Sequence, residues 1–146
     1  MQDRIVRFLL NAKRNTYAAK GAQVASSRPC SHDFHYREND LLYIDTYVGG
    51  GAFAGEEAVW FEDAPIWSMN YCGRVLEDRF DGDFLKRALM QVPADLPYRG
   101  PQEYREGETL YRCAVSGAPE WFQGREEILI GQVCSYECYF HGGEIK

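Results

Sequence analysis

A chain of 146 residues with 45% hydrophobic side chains is long enough for one ordinary core and too apolar for a disordered tail. Its formal charge of −6 is unevenly placed: Arg4, Arg7, Lys13, Arg14, Lys20 and Arg28 face Asp3 alone before position 29, while the remainder holds twenty-one acidic and ten basic residues. Such an acidic body would repel a phosphate backbone, no apolar run approaches the roughly 18 residues that cross a bilayer, and MQDRIVRFLLNAKRN has no signal-peptide pattern. Nucleic acid and membrane are therefore not expected partners of this domain, and a cytoplasmic location is expected.

Residues 3–14 are predicted as a helix, with Asp3 as cap, an apolar stripe of Ile5, Phe8, Leu9 and Ala12, and Lys13 and Arg14 suited to the C-terminal dipole. Residues 17–28 are small and polar and predict a surface loop. From about Asp33 the period becomes two. Residues 41–48 alternate Leu42, Ile44, Thr46 and Val48 with Tyr43, Asp45 and Tyr47. Gly49-Gly50-Gly51 breaks that strand, and residues 53–62 form the next. A turn at Asp63-Ala64-Pro65 leads into 66–76, with Trp67, Met69, Tyr71 and Val75 on one face and Ser68, Asn70, Cys72 and Arg74 on the other. Residues 83–91 predict a second helix, and Pro93, Pro97 and Pro101 an irregular crossover. Strands follow at 109–116, 120–130 and 133–141, the last two joined by Gly131-Gln132. The expectation is one α+β domain over 1–146: a curved, mainly antiparallel sheet of six or seven strands with an N-terminal and a mid-chain helix, and no internal repeat.

Catalytic signatures are absent: there is no Walker loop, GxGxxG after a strand, HExxH or GxSxG. The glycine run lacks the Lys and helix that phosphate binding requires, so a hinge or hairpin turn is expected there. Five cysteines and no CxxC suit reduced, packed thiols. Cys134 and Cys138 sit four residues apart in an expected strand, roughly 13 Å, too far for a bridge or shared tetrahedral ligation. No metal site is assigned, and the residues name no cofactor.

Three polar groupings could carry chemistry. His32 and Asp33, with His35 close by, could orient a general base or bind a divalent metal if they lie in a turn; a structural role at a loop edge is the alternative. Asp45 and Tyr47, with Asn70 and Arg74, and Glu137, Tyr139 and His141, form polar phases on separate strands. They would line a hollow if the strands curve around one, a solvated sheet face or a buried pairing of Asp45 or Glu137 with Arg74 being the alternatives. Glu56 and Glu57 diverge along a strand. Glu57 is in phase with Phe53 and Val59, and a carboxylate buried there would be pushed toward its protonated form and could act as an acid; solvated edge charges are the alternative.

The phrases SSRPCSHD (26–33), LLYIDTYVGG (41–50), FAGEEAVW (53–60), WSMNYCGRV (67–75), RGPQEY (99–104) and YFHGGEIK (139–146) resemble a bacterial and archaeal family of domains of unknown function. Members of that family occur alone and fused behind helix-turn-helix DNA-binding domains. The resemblance implies no established activity or cofactor; the fused members imply an effector-binding or oligomerising role by analogy.

The leading expectation is a binding module for a small polar or aromatic molecule, lined by Asp45, Tyr47, Asn70, Arg74, Glu137 and His141, with Trp60 and Trp67 as walls. The second is a hydrolase or isomerase using His32 or His141 with Asp33, Glu56 or Glu57 as acid and base. The third is a homodimerising structural domain.

Overall fold

The computed structural model describes residues 3–16 and 23–146; the first part of the loop expected over 17–28 lies outside them. Helices α1 (Asp3–Thr16) and α2 (Gly82–Leu89) accompany strands β1 (His32–Glu38), β2 (Leu41–Gly49), β3 (Ala52–Phe61), β4 (Ala64–Val75), β5 (Glu103–Glu106), β6 (Thr109–Ala118), β7 (Trp121–Ile130) and β8 (Val133–Glu144). The strands form one open, curved antiparallel sheet in the order β1-β2-β3-β4-β8-β7-β6-β5. It has eight strands rather than six or seven. The short β5 escapes a periodicity argument because Glu103-Tyr104-Arg105-Glu106 offers a single apolar side chain. No helix among the described residues is long and apolar enough to cross a membrane.

Local chemistry explains each element. The α1 stripe buries Phe8, Leu9 and Ala12. In α2 the Asp81 side chain accepts from the Asp83 N–H at 2.9 Å, a sound N-cap, and Phe84, Leu85, Ala88 and Leu89 turn inward. Gly49 closes the β2–β3 hairpin at φ +98°, where a Cβ would stand 2.2 Å from the Ala52 carbonyl oxygen, so the glycine run is a turn. One face of the sheet is covered by both helices and the proline-rich crossover, and carries Tyr43, Val59, Trp67, Met69, Tyr111, Ile128, Tyr136 and Phe140 into the core.

The expectation of no repeat is corrected. One helix followed by four strands occurs twice, and the two meanders meet antiparallel at β4 and β8. A pseudo-two-fold axis passes through the paired residues Tyr71 and Phe140. It matches Phe8, Leu9 and Ala12 with Phe84, Leu85 and Ala88; Tyr43 with Tyr111; Gly49 with Gly117; Phe53 with Phe122; Gly55 with Gly124; Glu57 with Glu126; and Gly73 with Gly142. The ring contacts repeat as well: Phe8–Tyr36 and Phe84–Tyr104 lie at 5.7 and 5.6 Å with 40° and 41° between planes. The repeat hides in the sequence because it rests on scattered single residues, with one extra residue between Gly117 and Phe122 and eight fewer between Ala88 and Tyr104 than between Ala12 and Tyr36. The glycines persist for a steric reason. A Cβ on Gly55 would meet the Tyr71 hydroxyl at 2.5 Å, and one on Gly124 would meet the Phe140 ring at 2.3 Å.

Candidate functional site

The helix-side face holds an unusual load of charge. Asp45 on β2 stands opposite Glu57 on β3, and Cys113, Glu126 and Cys138 form a row across β6, β7 and β8. Asp45, Glu57 and Glu126 are all buried, as are Lys13 from α1 and Arg99 from the crossover. Lys13 pairs with Glu57 and donates to the Tyr98 carbonyl at 2.7 Å. Arg99 donates through Nη2 to Glu126 at 2.7 Å, reaches Glu57 at 4.0 Å, and lies 5.3 Å from the centre of the Tyr71 ring. Tyr111 and Tyr136 donate to Glu126 at 2.6 and 2.8 Å, and Tyr71 donates to Asp45 at 2.6 Å.

Three acids therefore share an enclosed space with two bases. Lys13 and Arg99 balance two carboxylates, and the third cannot ionise there without leaving a net charge in low dielectric. Asp45 carries this consequence. Burial, then the neighbouring Glu57 charge, push its carboxyl up to about 7, against the Tyr71 hydrogen bond and the attraction of Lys13 and Arg99. Beside it the Tyr43 hydroxyl is buried with no hydrogen-bond partner among the described residues. Its phenol is pushed up by burial and by Glu57 and Asp45.

A cavity of about 330 Å³ adjoins this cluster, between α2 and the β2–β3 hairpin. Its walls include His32, Tyr47, Phe53, Tyr71, Phe80 and Leu85, with Lys86 at α2. His32 stacks on Tyr47 at 4.8 Å, and its Nδ1 lies 3.2 Å from the Gln23 amide. Tyr71 is the link between the two features: it lines the cavity and its hydroxyl holds Asp45.

The residues singled out from the sequence fall on two faces. His32, Asp45, Tyr47, Glu57 and Trp67 are on the helix side. Glu56, Trp60, Asn70, Arg74, Glu137 and His141 are on the opposite face, as the register shows by pairing Glu56 with Asn70, Asn70 with His141 and Arg74 with Glu137. The shared hollow expected of Asp45, Asn70, Arg74, Glu137 and His141 is thus corrected: the sheet itself separates them. The reason is the phase of β2, in which Leu42 and Ile44 face outward half-buried while Tyr43 and Asp45 face the core. Arg74 does pair with Glu137, at 2.8 Å, but on the exposed face rather than buried, and the pair is continued by Arg125, Glu127 and Arg112. Trp67 is a core ring stacked on Phe122 at 5.8 Å. No histidine pairs with a carboxylate among the described residues, so the acid–base pair expected of His32 or His141 is not formed. Glu56 and His141 stand two strands apart, about 9–10 Å in backbone spacing.

Asp33 serves the structure of the loop before β1. It accepts from the Ser31 and Thr46 hydroxyls at 2.6 and 3.0 Å and from the Ser27 N–H at 3.3 Å. Burial alone would raise its pKa, but these bonds outweigh it and hold the carboxyl near 2. Its contribution to stability is present above the ordinary aspartate pKa and is lost as pH falls from about 4 toward 2.

All five cysteines are free thiols. Burial, then the Glu126 charge, push Cys113 up to about 12; burial does the same for Cys138. Both are therefore expected to resist iodoacetamide in the folded protein while the exposed Cys30 and Cys72 react, with mass spectrometry reading the order. Native labelling of Cys113 at the rate of Cys30 would contradict the enclosed cluster. Among the described residues no group of three or more His, Cys, Asp or Glu side chains is placed to hold a metal ion.

Residue-by-residue reading missed Lys13, Arg99, Glu126 and the tyrosines that serve them. Glu126 was legible in principle, since it is in phase with Phe122 and Ile128 along β7, the signal that marked Glu57 on β3. Arg99 left no periodic trace because it sits in an irregular crossover.

Fold and site together define an α+β sheet domain of twofold internal repetition, with a charged core beside an aromatic cavity. The chain belongs to the family described as domain of unknown function DUF5680, whose model matches residues 45–145. No curated protein and no solved structure matches the chain.

Proposed function

We propose that this domain is a small-molecule-binding module whose ligand occupies the cavity between α2 and the β2–β3 hairpin. The observation that carries this reading is the continuity of an aromatic-walled cavity of ligand size with a buried acid through one hydroxyl, that of Tyr71. Such a site is rigid on its sheet side, where the ion cluster fixes the strands, and adjustable on its α2 side, which is a helix of only two turns. The polar groups that would orient a ligand are His32, Lys86 and the Tyr71 hydroxyl.

The test is a thermal-shift screen of a metabolite library against the full chain and against Leu85→Trp, which fills the cavity. A true ligand at one hundred times its Kd stabilises the wild type by about 2.7 kcal/mol and leaves Leu85→Trp unmoved. Hits that stabilise both proteins equally, or a screen without hits, would overturn the proposal.

A further inference from the structure

The internal pseudo-two-fold axis makes one half of the molecule a template for the other. In the second half the Phe122 ring is stacked by Trp67 at 5.8 Å and 15°, and tilted against Phe140 at 6.4 Å and 54°. In the first half its counterpart Phe53 has the matching neighbours: Tyr136 at 6.2 Å and 16°, and Tyr71 at 6.0 Å and 59°. Around these two phenylalanines the described rings differ in one respect. Phe122 carries a further ring, Tyr98, face to face at 4.0 Å and 27°. Phe53 has no such ring among the described residues, and the cavity opens against it.

Tyr98 reaches Phe122 from the crossover, and Lys13 of α1 pins it by donating to its carbonyl oxygen. On α2 the counterpart of Lys13, following Ala88 as Lys13 follows Ala12, is Leu89, which cannot donate. Residues 23–31, ahead of β1, contain no aromatic side chain. Among the described residues, one of two equivalent spaces is filled by a phenol of the chain and the other holds no ring of its own.

We infer that the cavity takes a planar aromatic acid, its ring stacked on Phe53 as Tyr98 stacks on Phe122, and its carboxylate answered by Lys86. This rests on the binding-module reading above and narrows it to a ligand class. Lys86 lines the same cavity and makes no ion pair among the described residues, so its charge is free for a ligand. Aromatic stacking rewards a flat ring over a saturated one of equal size, and a compact ammonium rewards an anion.

The experiment is calorimetric titration of the full chain with 2-naphthoate, its uncharged counterpart 2-naphthylmethanol, and the saturated decahydro-2-naphthoate. Naphthoate is expected to bind at least tenfold more tightly than the saturated acid, and Phe53→Leu to abolish that preference. Lys86→Met should weaken naphthoate about tenfold and leave naphthylmethanol unchanged. Tyr98→Ala should open the equivalent space on Phe122 and raise the stoichiometry from one naphthoate to two. Equal affinity for flat and saturated acids would overturn the aromatic assignment, as would naphthoate failing where library hits still depend on Leu85; both leave the binding-module reading intact. No cavity-dependent hit of any kind removes both. Naphthoate binding that appears only in Tyr17→Ala would also overturn the inference, since the ring on Phe53 would then be the chain's own.

Discussion

Replacing Arg99 by Met is expected to destabilise the fold by about 3–5 kcal/mol, read as a lower midpoint in urea unfolding at pH 7. The methionine keeps much of the apolar stem, so the loss is electrostatic. Glu126 loses its guanidinium partner, and Glu57 keeps Lys13 alone among the described residues, in a buried setting. The double variant Arg99→Met, Glu126→Gln separates this cause from simple packing loss. With the unpaired charge neutralised, one tyrosine hydroxyl still able to donate to the amide oxygen and the other able to accept from the amide nitrogen, it should be more stable than Arg99→Met alone. A double variant less stable than the single one would show that the charge balance proposed for the cluster is wrong.

Asp45 gives the second large effect, and its sign is opposite to that of an ordinary paired aspartate. Its carboxyl titrates near 7 in the folded protein and near 3.8 when unfolded. Between those values the native state holds a proton that the unfolded chain has released, so stability falls as pH rises from about 4 to 7 and is level above. At about 1.4 kcal/mol per pKa unit the total approaches a ceiling of about 4 kcal/mol. Asp45→Asn keeps an oxygen that accepts from Tyr71 and removes the titration. It is expected to be more stable than the wild type at pH 8, close to it at pH 4, and flat in between. Asp33 titrates below that window and in the opposite direction, so acid unfolding curves of the two proteins should converge below pH 4. A wild type whose stability rises between pH 5 and 7, with Asp45→Asn unchanged, would contradict a protonated Asp45.

These two residues also mark how far the sequence could be read. Both helices, the β2–β3–β4 meander and the β6–β7–β8 meander were legible because their apolar spacing follows simple periods and most of their turns carry glycine, the β3–β4 turn at Glu62-Asp63 being the exception. Within one strand the faces were legible too: Trp67, Met69 and Tyr71 do share a side of β4. What periodicity lacks is the relation between strands. On β2 the aliphatic phase of Leu42 and Ile44 looks like the core, and Tyr43 and Asp45 look like the surface, yet the core here also takes in hydroxyls and ion pairs, and on β2 the polar phase is the inward one. Asp45, Tyr47 and His32 therefore stayed with the candidate site, whereas Asn70, Arg74, Glu137 and His141 belong to the solvent-facing side. The partners from irregular or helical segments, Arg99 and Lys13, required three dimensions to find. Lys13 in particular reads as a dipole-compensating surface lysine, and in the fold it is a buried counter-ion.

A molecule assembled from two like modules has a freedom that a single module lacks. Because the β4–β8 seam ties the copies together, one of them can be stiffened to keep the whole chain folded while its twin drifts toward a different task. On the binding-module reading, selection on the half that holds Tyr98 acts through stability, and on the half that holds the cavity through the ligand. The same substitution made at matching positions, Phe122 and Phe53, should accordingly register as a lower melting temperature in the first case and as altered recognition in the second.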